Sequence, residues 1–111
     1  MHEVGIAQEI LTLAFKSADK AKSITRLGLT VGNRSGIDRS SLEFALSALR
    51  EGTIAADCAF DIVEVKTRGF CTDCGKESCT DPFFAVCPHC GSAILEYSGG
   101  EELTLNYVDF E

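Results

Sequence analysis

The stretch that decides how this chain is built is residues 71–91, CTDCGKESCTDPFFAVCPHCG. Cys71 and Cys74 form one C-x2-C pair, Cys87 and Cys90 a second, and twelve residues separate the two pairs. Two residues between paired thiols let both sulfurs reach one ion, and Gly75 and Gly91, directly after each pair, let the backbone turn sharply beneath it. Four thiolates favour tetrahedral zinc. The surrounding segment, residues 67–98, holds five of the six cysteines and both prolines, but its apolar residues come in short pairs, Phe83 with Phe84 and Ile94 with Leu95. Such a segment cannot build a core and takes its fold from the metal it binds. Four protein ligands leave no open position for a substrate, so the zinc is expected to be structural. Nothing around either pair resembles the βαβ unit of a thiol oxidoreductase. His89 is expected to face solvent, Cys58 to be a small core residue, and Cys79 to be an exposed loop thiol.

On either side the pattern is that of an ordinary folded core. From Val4 to Ala18 the apolar residues Ala7, Ile10, Leu11, Ala14, Phe15 and Ala18 recur at three- and four-residue intervals, which predicts a helix. Residues 23–32 alternate, with Leu27, Leu29 and Val31 on one side, as in a half-buried strand. After the loop NRSGI, Leu42, Ala45, Leu46 and Leu49 predict a second helix, with Asp38 in its entry, Ser40 and Glu43 at capping-box spacing and Gly52 at its stop. Residues 58–66 and 102–110 have strand composition, the latter with Leu103, Leu105 and Tyr107 on one side. The expected fold is α+β: a three-stranded sheet covered by two helices, with an inserted zinc-ribbon-like domain. The expected division is a first domain of residues 1–66, completed by a final strand within 99–111, and a zinc-binding domain of residues 67–98.

Composition narrows the function. Ten basic against 17 acidic residues give a formal net charge of −7, which phosphate backbones and anionic lipid surfaces repel. Zinc ribbons often bind nucleic acid, but segment 67–98 carries two basic residues, Arg68 and Lys76, against four acidic ones, Asp73, Glu77, Asp81 and Glu96. Neither nucleic acid nor a membrane is an expected partner. Gln8 and Glu9 break the only apolar run near the start, so no secretory signal or membrane span is read, and a cytoplasmic location is expected. Cysteines in a reducing compartment are better explained as metal ligands than as disulfides.

The opening residues, Met1, His2 and Glu3, pose a separate question. The Met1 amine, the His2 amide nitrogen and the His2 imidazole Nδ1 can close two fused chelate rings, with the Glu3 amide or carboxylate as a further donor. Planar nitrogen-rich sets suit Ni(II) or Cu(II), not zinc. A frayed chain end with an incidental histidine is the other reading of the same residues. An enzymatic reading, with Glu3 as general base beside a metal-bound water, lacks a nucleophile, a phosphate loop or a second acid–base cluster.

Taken in order, MHEVGIAQ, VGNRSGIDRSSLEFALSAL, the GT after the second helix, the doubled C-x2-C with CPHCGS and a late strand ending in an acidic residue resemble the HypA/HybF family of hydrogenase maturation nickel chaperones. The resemblance implies a nickel-binding α/β domain with an inserted zinc domain, and a binding protein, not an enzyme. It implies Ni(II) as transient cargo at His2 and Glu3 with Asp38 auxiliary, and Zn(II) at Cys71, Cys74, Cys87 and Cys90. The implied partners are a HypB-type GTPase and the [NiFe]-hydrogenase large-subunit precursor, with urease maturation proteins in some bacteria. Many members read GELSGV where this chain has GNRSGI, so Asn33 and Arg34 depart from the pattern, in a loop expected to shape the contact with a partner. Some members place histidines just behind the cysteine pairs, where this chain has Gly75 and Gly91. The competing function is a zinc-ribbon protein–protein adaptor with no nickel role.

Overall fold

The computed structural model describes residues 2–80, 86–93 and 96–111, with His2 and Thr80 through their backbone alone. Met1 and the pairs Phe83 with Phe84 and Ile94 with Leu95 lie outside the described residues. The chain runs α1 (His2–Ser17), β1 (Ile24–Gly32), α2 (Arg39–Leu49), β2 (Ala59–Val65), β3 (Thr67–Phe70), β4 (Glu77–Thr80), β5 (Glu96–Ser98) and β6 (Leu103–Phe110). β1 is the centre of a first sheet ordered β2-β1-β6, parallel to β2 and antiparallel to β6. Parallel neighbours need a crossover, and α2 provides it. β6 reaches this sheet only after the chain has built a second, antiparallel sheet ordered β4-β3-β5.

One core holds the two helices to the first sheet. Ala7, Ile10, Leu11, Ala14 and Ala18 of the first helical region, Leu42, Ala45 and Leu46 of α2, and Ile24, Leu27, Leu29, Val31 and Ile62 of the strands are all buried in it. The helical period found in the sequence is thus the face that meets the sheet, and burying each large aliphatic side chain contributes about 1.5–3 kcal/mol. Cys58 belongs to the same core. The molecule is nevertheless long, 55 × 25 × 17 Å, with a radius of gyration of 17.5 Å, where a compact domain of this length would have about 13 Å. The second sheet accounts for this elongation by extending the chain beyond the core.

Three expectations change. Tyr107 does not share a face with Leu103 and Leu105: the β1–β6 register shifts between Gly28 and Leu29, so Gly28 faces Tyr107 while Leu29 faces Leu105. The extra residue, Asn106, is a bulge that reverses the alternation and turns Val108 toward the core in place of Tyr107. The Tyr107 ring lies over Gly28 and its hydroxyl donates to Asp61 on β2 at 2.6 Å, tying all three strands on the uncovered face. Second, the cap of α2 is Asp38, not Ser40. Asp38 is extended (φ −80°, ψ 122°) and its carboxylate accepts from the Ser41 amide, whereas Ser40 is already helical. Third, Cys79 is exposed but sits in β4 opposite Arg68, not in a loop.

Candidate metal centre

The two cysteine pairs are built alike. After β3, the Gly75 amide donates to the Cys71 carbonyl at 2.9 Å and the Cys71 amide to the Lys76 carbonyl at 3.1 Å. Sixteen residues on, the Gly91 amide donates to the Cys87 carbonyl at 2.9 Å and the Cys87 amide to the Ser92 carbonyl at 2.5 Å. Each turn closes through a left-handed residue, Gly75 at φ +73° and Gly91 at φ +82°, a conformation that a side chain at either position would strain. Cys71 and Cys87 are buried, 1% and 2% exposed, and with Cys74 and Tyr97 form the small second cluster of the molecule.

The four sulfurs converge, with all ligand atoms within 4.8 Å of one another. The Cys71 and Cys90 sulfurs are 3.6 Å apart, and those of Cys74 and Cys87 3.8 Å. A tetrahedron of thiolates bound at about 2.3 Å has edges of about 3.8 Å, so the spacing fits a four-thiolate zinc site. The His89 amide donates to the Cys87 sulfur at 3.4 Å, leaving the exposed imidazole to solvent. The thiols differ before any metal neutralises them. The Ser92 amide and hydroxyl, with the Cys71 thiol, bring Cys90 down to about 7. At Cys74 the Lys76 amide favours the thiolate, but burial and the other three thiols outweigh it and push the group up to about 11. Thiolate ligation displaces these protons, so metal affinity rises with pH.

The residues expected to hold nickel lie at the other end of the sequence. The helix backbone begins at His2, and Glu3 stands in the first turn. The first amides of a helix have no carbonyl partner within it. Asp38 opens α2 and accepts from the Ser41 amide at 2.9 Å and hydroxyl at 2.8 Å. Between the two helices runs an apolar groove lined by Val4, Ser40, Ser41, Phe44, Ala45, Ala48 and Leu49. The start of α2 thus lies beside the first turns of α1. The loop before it does not face that way throughout: Arg34 pairs with Glu101 at 3.2 Å and stacks 5.8 Å from the Tyr97 ring centroid. Sequence reasoning missed Tyr97, whose packing against the cysteines carries no signal in spacing or period.

Hydrogen bonds from the Ser41 hydroxyl and then its amide hold the Asp38 carboxyl below the ordinary carboxylate range. Because its folded value lies below the unfolded one, Asp38 adds stability above the unfolded value near pH ~3.9, and that stability is lost as pH falls through the folded value. Asp38→Asn should keep the cap and remove this acid dependence. Asp38→Ala should speed amide exchange in the first turn of α2, which equal exchange rates in both variants would contradict.

Two helices on a mixed sheet, interrupted by a four-thiol cluster shaped for a metal ion, define a small metal-binding protein of α+β class. Residues 1–110 match the family described as "Hydrogenase/urease nickel incorporation, metallochaperone, hypA". The hydrogenase maturation factor HypA of Aquifex aeolicus is 35% identical, covering 100% of this chain and 98% of the relative, and that of Chlorobium luteolum is 36% identical, covering 97% and 94%. The solution structure of the Ni metallochaperone HypA from Helicobacter pylori superposes with a TM-score of 0.63 at 27% identity, over 97% of this chain and 96% of that one. The chain belongs to the HypA family of nickel metallochaperones, which act in hydrogenase maturation. No helix among the described residues is long and apolar enough to cross a membrane.

Proposed function

We propose that the chain carries Ni(II) at its N-terminus and hands it to the [NiFe]-hydrogenase precursor. His2 and Glu3 hold the ion, with Asp38 as an auxiliary oxygen, and the four cysteines hold a structural Zn(II). Residues 1–66, completed by 99–111, form the nickel body, and residues 67–98 the zinc body. The protein binds and releases without catalysing a reaction, works in the cytoplasm with a HypB-type GTPase, and also serves urease where its host makes one.

The observation that carries the nickel reading is the position of His2 and Glu3 in the first turn of α1. A helix supplies no carbonyl acceptors of its own to the amides of its first turn, so a metal held there need not break its hydrogen-bond ladder. The positive end of the helix opposes a cation there, and the Glu3 carboxylate together with deprotonated amides offsets it. Such a site at a helix end is open to a partner, as transfer requires. The four cysteines cannot serve as the transfer site, because zinc would fill every ligand position.

Equilibrium dialysis of the zinc-loaded chain against Ni(II) tests this reading. One bound nickel beyond the zinc supports delivery, whereas none leaves the adaptor function. Affinity should fall as pH drops through the ordinary histidine range, about 6.5, because coordination needs a neutral imidazole. A Gly-Ser extension ahead of Met1 turns its amine into an amide and should weaken nickel binding at least about tenfold, roughly 1.4 kcal/mol, with zinc content unchanged. Equal affinity and an unchanged ligand-field spectrum would remove the amine from the donor set.

A further inference from the structure

Two chain crossings join the sheets. One is Lys66, a single residue between the end of β2 at Val65 and the start of β3 at Thr67, and the other runs from the end of β5 at Ser98 to the start of β6 at Leu103. The loop that leaves β1 reaches both. At the first crossing, the Asn33 amide donates to the Val65 carbonyl at 2.9 Å. Its side-chain oxygen accepts from the Thr67 amide at 3.0 Å and the Thr67 hydroxyl at 2.6 Å. Asn33 therefore grips the last residue of one sheet and the first of the other. At the second crossing, the Arg34 amide donates to the Gly100 carbonyl at 2.5 Å, and its guanidinium pairs with Glu101 while stacking on Tyr97 of β5.

The two crossings meet at Thr67 and Gly100. Thr67 is fully buried, the only polar residue so buried among the described residues. Gly100, at φ +86°, packs so closely that a Cβ there would lie 2.2 Å from the Thr67 hydroxyl. The Gly100 amide is in turn held by the Glu102 carboxylate at 2.9 Å. A short linker alone would let the second sheet swing about Lys66 and the two glycines Gly99 and Gly100. A junction of three hydrogen bonds at one residue, two to the Asn33 side chain and one from its backbone amide, with an arginine laid across the other crossing, would not.

We infer that Asn33 and Arg34 are positioning residues that lock the zinc body at one angle to the nickel body. The inference rests on the two-body division proposed above. Arg34 acts through the cysteine cluster's own neighbour, since Tyr97 packs against Cys71 and Cys87. The lock lets a partner that touches both bodies dock without first paying to orient them. Asn33 serves as an acceptor in both side-chain bonds, so an aspartate can replace it and an alanine cannot.

The test is residual dipolar coupling on the zinc-loaded full chain. In the wild type, one alignment tensor should fit the amides of both sheets. In Asn33→Ala each sheet should still fit internally, but the tensor of the second sheet should shrink at least about twofold against the first, as expected of hinge motion. Asn33→Asp should restore the single tensor. Should Asn33→Ala fail to fold, Thr67→Val, which removes the hydroxyl and keeps the amide, should move the tensors the same way by less. A single unchanged tensor in Asn33→Ala, or in Thr67→Val where that variant stands in for it, overturns the lock. A wild type whose second sheet fits no tensor of its own overturns the two-body division and the lock with it.

Discussion

Cys87→Ala is expected to lower zinc affinity more than about a thousandfold, roughly 4 kcal/mol, and to unfold the second sheet while leaving the first intact. Cys87 is 2% exposed, its sulfur is 3.8 Å from that of Cys74, and the His89 amide is bound to it. Among the described residues, the apolar cluster in this part of the chain is Cys71 and Cys87 with Cys74 and Tyr97 packed against them, too few to hold β3, β4 and β5 without a metal. Structural zinc supplies about 10–16 kcal/mol of apparent binding energy in comparable segments, which is folding energy there. The core under α1 and α2 shares no residue with that cluster, so helical circular dichroism should persist. Amide resonances of residues 71–80 and 86–93 should collapse toward random-coil positions. Native zinc affinity with those resonances unmoved would show that the cysteines do not form the site.

What could be read from the sequence was set by how local the signal is. Ala7, Ile10, Leu11 and Ala14 announce a helix because their spacing is the helical period, and they are the buried face. The doubled C-x2-C announces a metal because sulfurs two residues apart must converge, and the four do. The small second sheet was not legible: β3 and β4 are four residues each and β5 three, too short to show a period, and they are held by the turns of the cysteine pairs. Alternation places Tyr107 on the wrong face because it assumes an unbroken strand, and the bulge at Asn106 is visible only in the pairing with β1. The cap fell to Asp38 because an aspartate in extended backbone can reach the Ser41 amide, and the competing Ser40 spacing is equally good on paper. Asn33 and Arg34 stood out in the sequence only as departures from the family pattern. Their role at the crossings depends on Thr67 and Gly100, which folding brings to them from far along the chain.

The central claim is that nickel is held at the start of the chain, and His2 is the donor it cannot lose. Removing the imidazole takes away one ligand and opens the chelate ring that makes the neighbouring amide worth deprotonating, so the two losses come together. The four cysteines hold the zinc, so zinc content should stay as it is. The most direct measurement is a Ni(II) titration of wild type and His2→Ala at equal zinc content, read by the ligand-field absorption and by calorimetry. The expected result is a drop in affinity of at least about a hundredfold in the variant, about 2.7 kcal/mol, with loss of the absorption band. The same affinity and the same spectrum in both proteins would contradict the account.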